Sequence, residues 1–214
     1  MSDSMDMLEL WERADGTSYQ EAVHIAATYG HITALKFLLA KSPSLVSHKS
    51  VDGTLPLHCA SAHSDAATVE YLLAQRADIL SQSIDGKHAL HYASAAGHSA
   101  VVALLLRSQA KVDARDAASR TPLLLAAETM LGGQVIRQLA RAKADLRARM
   151  PMREGYTAMH SASHAGHAAA VRTLLAVRAD AKAQDEYLRQ PAHLAAWQGH
   201  VAVVEALWQG GADL

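Results

Sequence analysis

Residues 85–113 read DGKHALHYASAAGHSAVVALLLRSQAKVD, and this stretch predicts two short helices joined and flanked by turns. Asp85-Gly86 is a tight-turn pair, because glycine accepts the positive φ that such turns need. A first helix follows around His91 and ends at Gly97, where glycine again suits the left-handed conformation that terminates a helix. The next helix is amphipathic, and its inward positions are aliphatic: Val101, Val102, Leu104 and Leu105.

The same pattern recurs along the chain, in six aligned segments spaced 34, 33, 33, 36 and 33 residues apart. These segments are 22–26, 56–60, 89–93, 122–126, 158–162 and 191–195. A Gly-His pair and an aliphatic run follow most of them, and an Ala-Asp pair closes most units. Neither short helix can bury its apolar face alone, so each unit must stack on its neighbours. We place the units at 16–49, 50–82, 83–115, 116–151, 152–184 and 185–214.

This pattern resembles the ankyrin repeat family, and the resemblance covers about residues 16–214. It implies an all-α repeat solenoid, in which helix-turn-helix units stack and β-turn fingers project to form a concave binding surface. It also implies that the histidine of each first helix links its unit to a neighbouring turn by hydrogen bonds. The histidine of each Gly-His pair then lies at the loop between the two helices.

The fourth unit departs from the pattern and is three residues too long. Leu124 stands where the histidine belongs, and one extra residue falls near Gly132-Gly133. Two more extra residues fall near Met150-Pro151-Met152. We therefore expect a bulged inter-helix loop, a longer finger and a weak seam at unit 4.

The two ends of the array carry separate expectations. Met5, Leu8 and Trp11 share one helical face, so residues 1–15 are predicted to form a helical segment that caps the first unit. Trp208 is predicted to take an inward aliphatic position of the last unit, with no polar capping repeat after it. This end is therefore a candidate contact, either with a partner or with further chain.

Composition excludes several function classes. The chain has 214 residues, a formal net charge of −1 and a pI near 6.9, so the basic excess that drives nucleic-acid binding is missing. The single cysteine, Cys59, forms no internal disulfide and offers no cysteine pair for zinc. The N-terminus is acidic and no apolar run reaches 18 residues, so we expect neither secretion nor membrane contact. These observations favour a reducing cytoplasm, with the nucleus as the alternative.

Residues 137–153 form a local basic stretch, with six Arg or Lys residues against one Asp, an excess of 6 − 1 = +5. One interpretation is a solvated outer face, where long basic side chains cover the surface. The other is a docking site for an acidic peptide or a phosphorylated partner.

The sequence predicts no enzyme, metal or cofactor. Motifs for nucleophile elbows, phosphate loops and kinases are missing, and His58 and Cys59 point about 100° apart on a helix and cannot act together. The chain has 13 histidines, nine of which the repeat explains. The best metal candidate, His160 with His164 and His167, is weak because Gly166 is expected to end the helix between them.

Side chains suited to partner binding gather at the C-terminal end of the predicted concave surface: Tyr156, His164, Tyr187, Arg189 and Trp197. Tyr, Trp and Arg are the residue types enriched at interface hot spots. We therefore expect a non-catalytic scaffold that binds a partner protein through its fingers and helix ends. The alternative is that the array regulates or targets a larger enzyme or channel.

Overall fold

A computed structural model describes residues 17–63 and 65–212. This part of the chain contains twelve α-helices and no strands: α1 Thr17–Thr28, α2 Ile32–Lys41, α3 Pro56–His63, α4 Ala66–Ala74, α5 Ala89–Ala96, α6 Ser99–Arg107, α7 Pro122–Ala127, α8 Gly132–Arg141, α9 Ala158–His164, α10 Ala168–Ala176, α11 Pro191–Trp197 and α12 Val201–Gln209. Two short 3₁₀ helices span Pro43–Ser47 and Pro151–Arg153. None of these helices combines the length and apolar character needed to cross a bilayer. The all-α repeat solenoid is confirmed.

The helices stack in two layers. In the inner layer, the first helix of each unit contacts the first helix of the next unit: α1, α3, α5, α7, α9 and α11. In the outer layer, the second helices of units 2 to 6 contact one another in the same way: α4, α6, α8, α10 and α12. Small side chains permit the close approach of the inner helices, because an alanine two residues after each histidine position is almost fully buried: Ala26, Ala60, Ala93, Ala126, Ala162 and Ala195. One leucine per unit fills the space between the layers: Leu38, Leu72, Leu105, Leu139, Leu174 and Leu207. The core is therefore thin and continuous along the array.

Five fingers open units 2 to 6, and we number each by its unit: finger 2 (50–54), finger 3 (83–87), finger 4 (116–120), finger 5 (150–156) and finger 6 (185–189). In all but finger 5 the first residue donates its N–H to the carbonyl of the residue four positions later, at 2.9–3.0 Å. Gly53 and Gly86 take φ of +70° and +71° at the turns of fingers 2 and 3, as the Asp-Gly pairs predict. Neighbouring fingers are joined by backbone hydrogen bonds, such as that from Ala117 N to Asp85 O at 2.8 Å.

Two sets of histidines link neighbouring units, as the resemblance implies. In the first set, the Nε2 atoms of His24, His91 and His160 lie 3.0–3.1 Å from carbonyl oxygens at the end of the next finger. The Nε2 atom of His58 lies 3.2 Å from Ser81 O, in the turn just before finger 3. In the second set, His98, His167 and His200 donate through Nε2 to the end of the first helix in the preceding unit, at 3.0–3.2 Å. In units 3 and 5, where both histidines are present and bonded, the unit is therefore linked to both of its neighbours.

Unit 4 contains the predicted insertions. Finger 5 has seven residues and is closed by a hydrogen bond from Met150 N to Tyr156 O at 2.9 Å, and the 3₁₀ helix Pro151–Arg153 holds its two extra residues. The buried aliphatic positions of α8 are shifted by one residue, which confirms the longer loop before it. Leu124 is fully buried and supplies no hydrogen bond to unit 5. Within the residues that the structure describes, no backbone hydrogen bond joins finger 4 to finger 5.

Of the two ends of the array, the structure describes the C-terminal one around Trp208. The predicted cap, residues 1–15, lies outside the described residues. The prediction that Trp208 occupies an inward position is wrong, because 65% of its surface is exposed. The equivalent Leu106 is partly buried against the core. Trp208 shares the helical register of Leu106, but the described chain places no further unit against it.

Candidate functional site

Two rows of side chains border the surface between the fingers and the first helices, which we call the concave surface. One row consists of the last residue of each finger: Thr54, Lys87, Arg120, Tyr156 and Arg189. The other lies at the ends of the first helices: Thr28, Ala62, Ala95, Glu128, His164 and Trp197. Over units 2 to 4 the floor between these rows contains a groove of about 480 Å³, and Ala62, Ala95 and Ala96 are among the residues that line it. Large side chains stand at the C-terminal end.

Arg189 occupies the centre of this C-terminal end. Its guanidinium carbon lies 4.9 Å from the ring centroid of Tyr187 and 5.8 Å from that of Tyr156. Its Nε donates to Asp185 Oδ2 at 2.7 Å, and its Nη2 pairs with Glu154 of the preceding finger. The side chain is therefore held by two carboxylates and two aromatic rings, so its orientation is fixed before any partner arrives.

The charges around Arg189 reinforce one another. The hydrogen bond that Arg189 donates to Asp185 raises the pKa of its guanidinium, and the hydrogen bond to Glu154 adds to the effect. Burial alone raises the pKa of Asp185, but hydrogen bonds from the Arg189 backbone N–H and guanidinium, and from Tyr187 N–H, lower it overall. Asp185 therefore stays ionised and anchors finger 6 around Arg189.

Tyr156 departs from the expectation that it lies on the accessible surface, since only 7% of it is exposed. Its ring stacks on His160 at 5.5 Å between centroids and meets His164 edge-on at 6.2 Å. Burial raises the pKa of its hydroxyl. Tyr156 closes the hairpin of finger 5, and its buried ring contacts the guanidinium of Arg189.

The remaining expected contact residues are accessible. Trp197 is 78% exposed and Tyr187 is 66% exposed, whereas His164 is half-buried. His164 and Trp197 occupy the same register on the neighbouring helices α9 and α11, and Gln198 lies 3.5 Å from His164 Nδ1. The structure thus brings Tyr156, His164, Tyr187 and Arg189 together through direct contacts and places Trp197 at the next helix end.

Two residues of this surface were not among the predicted partner-binding residues. Glu154 pairs with Arg189 across two fingers, and no local pattern marks a partner 35 residues away. Leu188 is 69% exposed beside Tyr187, with a φ of +61°. Leu188 lies at the turn position that Gly53 and Gly86 occupy in fingers 2 and 3. A bulky residue at a position that favours glycine was the feature of the sequence that could have identified it.

The candidate metal ligands have other partners. His160 Nδ1 lies 2.9 Å from Thr157 Oγ1 and its Nε2 bonds to the Arg189 carbonyl, while His167 bonds to the Glu128 carbonyl. In the described residues no group of three His, Cys, Asp or Glu side chains is arranged to hold a metal ion. Burial raises the pKa of the Cys59 thiol, so the thiolate is disfavoured.

Comparison with protein-family models matches the chain to the model described as ankyrin repeats (3 copies). It matches residues 6–83, 68–150 and 123–214, which together cover nearly the whole chain.

Proposed function

The chain belongs to the ankyrin repeat family, whose repeats are generally protein–protein interaction modules, and on this premise we propose that it is a non-catalytic scaffold for a partner protein. We infer that the partner binds the C-terminal end of the concave surface, at Tyr187, Arg189, Trp197 and His164. Tyr156 contributes by supporting Arg189.

One observation carries this proposal: two large aromatic side chains, Tyr187 and Trp197, are exposed beside an arginine that is already held in place. Exposed aromatic groups of this size provide much of the apolar area that a partner can bury, and each keeps a polar atom for hydrogen bonding. A rigid array also loses little conformational freedom on binding. The energetic basis of the interaction is therefore shape and apolar contact on a preformed surface.

The test is affinity capture from native lysate with three proteins: wild type, Tyr187→Ala/Trp197→Ala, and Tyr29→Ala. Tyr29 is a matched control, because it is an exposed aromatic at a helix end in unit 1, far along the array. The proposal expects a partner that wild type and Tyr29→Ala retain and that the double variant loses. Circular dichroism and urea midpoints show whether all three fold alike.

Equal capture by all three proteins contradicts the proposal, and so does a partner lost only by Tyr29→Ala. The identity of a retained partner then distinguishes a general scaffold from the alternative function, the regulation or targeting of an enzyme or channel.

The side of unit 6 that faces away from unit 5 is a candidate for a second contact surface. His193 accepts a hydrogen bond from Gln190 N at 2.9 Å, as its buried counterparts do, but its Nε2 has no acceptor among the described residues. Val201 and Trp208 are exposed on the same unit. We propose that a partner also contacts this face, and a Val201→Glu/Trp208→Glu variant tests it by losing that partner while keeping the concave-surface one.

A further inference from the structure

A cleft of about 400 Å³ lies between units 4 and 5, away from the concave surface. It forms where the turn after α8 meets the turn after α10. Its apolar lining includes Leu146, Met159 and Ala183, and its polar lining includes Arg147, Arg149 and Asp180. The cleft lies at the junction where Leu124 and finger 5 interrupt the regular links between units.

The cationic side chains at this cleft differ from those of the fingers in their partners. On fingers 3 to 6, Lys87, Arg120, Arg153 and Arg189 each pair with a carboxylate. In the described part of the chain, neither Arg147 nor Arg149 has a carboxylate partner. The guanidinium charges at the cleft are therefore not neutralised by an ion pair among these residues.

Arg149 is nonetheless held in position. Its Nη1 donates to Gly155 O at 3.2 Å and to Gln184 O at 2.8 Å, which bridges finger 5 to the chain before finger 6. These bonds occupy one nitrogen and leave the rest of the guanidinium available to a ligand. An ordered guanidinium loses less side-chain freedom when a carboxylate binds than a mobile one does.

The nearby carboxylates are turned toward the backbone. Asp145 Oδ1 accepts from Arg147 N at 2.9 Å, and Asp180 Oδ1 accepts from Lys182 N at 2.9 Å. Lys143 and Arg178 are exposed in the turns that lead into the cleft. With Arg147 and Arg149 these give four positive charges against two negative ones, so an anionic ligand is favoured.

We propose that this cleft binds an acidic segment of a partner protein. Carboxylates of the segment pair with Arg147 and the accessible face of Arg149, and an adjacent apolar side chain contacts Leu146 and Ala183. A peptide matches the cleft because it offers negative charge and apolar surface together. This site is separate from the concave surface, and its success or failure does not depend on the proposal made there.

The probe is a fluorescein-labelled hexapeptide of sequence Glu-Glu-Leu-Glu-Glu-Leu, titrated with the full chain and followed by fluorescence anisotropy at low and high salt. Arg147→Glu is expected to weaken binding at least about tenfold at low salt, because it reverses a charge at the cleft. Lys49→Glu is the matched control, since Lys49 precedes finger 2 as Arg149 precedes finger 5, and it is expected to change affinity less than about twofold.

Several results overturn the proposal. These are the absence of saturable binding, equal loss in the two variants, equal binding of a Gln-Gln-Leu-Gln-Gln-Leu peptide, and stronger binding of a single-stranded oligonucleotide than of the acidic peptide. Arg147 is exposed and its side chain has no partner within the described residues, so Arg147→Glu is expected to fold. Arg147→Ala provides a second variant with an intermediate loss.

Discussion

His160 donates through Nε2 to the carbonyl oxygen of Arg189, 3.0 Å away, and thereby joins the core of unit 5 to the centre of the candidate interaction surface. The opposite nitrogen, Nδ1, lies 3.3 Å from the backbone N of Thr157 and accepts a hydrogen bond from its N–H. Both ring nitrogens are therefore committed, and the imidazole must be neutral to fill both roles. The finger that carries Tyr187 is positioned by a buried histidine of the neighbouring unit, so scaffold stability and surface geometry are coupled.

Removing a linking histidine is expected to cost far more inside the array than at its end. His91 is fully buried, with Nδ1 accepting from His88 N at 3.1 Å and Nε2 bonded to Arg120 O at 3.1 Å. His91→Ala loses both bonds and leaves a cavity, so we expect a loss of about 2–4 kcal/mol in the free energy of unfolding. Urea unfolding followed by circular dichroism measures this change.

His193→Ala is the matched comparison, because the same motif position is exposed in unit 6 and makes only the bond from Gln190 N. Its cost is expected to be below about 1 kcal/mol. Similar losses at His91 and His193 would show that the link between units contributes nothing of its own.

Stability is expected to fall as the solution is acidified from pH 6.5. Burial lowers the pKa of His58 and of His91 to about 4, and it lowers the pKa of His160 as well. The unfolded chain therefore binds protons near pH 6.5 that the folded array excludes. The stability that comes from keeping these histidines neutral is fully present above pH 6.5 and is lost as the pH falls toward 4. Over this range the free energy of unfolding is expected to fall by about 1.4 kcal/mol per pH unit for each of His58 and His91.

Urea titrations at pH 7.5, 6.5, 6.0, 5.5 and 5.0 measure this dependence. His91→Gln removes one of the groups that binds a proton only in the unfolded chain. Below pH 6 the slope of the unfolding free energy against pH is therefore expected to be smaller than that of wild type by about 1.4 kcal/mol per pH unit. A stability that does not change between pH 7.5 and 5, or a slope that His91→Gln leaves unchanged, contradicts the assignment of this effect to the linking histidines.

The fold could be predicted because each unit repeats the same local turn and helix pattern. One motif spacing exceeds 33 by three residues, and two of these fall near Met150-Pro151-Met152, which was enough to locate the longer finger 5. The exposure of single residues could not be predicted in the same way. Tyr156 and Tyr187 both belong to fingers, but Tyr156 closes its hairpin and stacks on His160, whereas Tyr187 lies at a tip. The exposure of Trp208 likewise depends on a neighbouring unit and not on its own helix.

Gly132 and Gly133, the first two residues of α8 after the bulged loop of unit 4, are expected to differ in their tolerance of alanine. A Cβ at Gly132 would lie 1.8 Å from the backbone oxygen of Ala126, and backbone cannot move aside cheaply. Gly132→Ala is therefore expected to cost about 3 kcal/mol or more. At Gly133 the nearest atom is Thr173 Oγ1 at 3.3 Å, so Gly133→Ala is expected to stay within about 1 kcal/mol of wild type. Urea midpoints of both variants decide the matter, and equal effects would contradict the loop geometry.

Unit 4 is expected to open more often than its neighbours. Leu124 replaces a linking histidine, and the described fingers 4 and 5 share no backbone hydrogen bond. Native-state amide exchange should therefore be faster in α7 and α8 than in α5, α6, α9 and α10. Uniform protection across these six helices would show that apolar stacking alone sets the local stability.

Replacing Arg189 is expected to affect folding and binding together, whereas replacing Tyr187 should affect binding alone. The carboxylate of Asp185 is fully buried and its cationic partner is Arg189, so Arg189→Gln leaves a buried negative charge without that partner. The thermal midpoint of Arg189→Gln should fall, and partner affinity should drop at least about tenfold as finger 6 loses its order. Arg189→Lys keeps the charge but not the planar fork that contacts Asp185 and Glu154, so its midpoint should lie between those of Arg189→Gln and wild type. Tyr187→Ala should weaken binding with an unchanged midpoint, because its ring is exposed. If Arg189→Gln keeps both the wild-type midpoint and the wild-type affinity, Arg189 does not organise this surface.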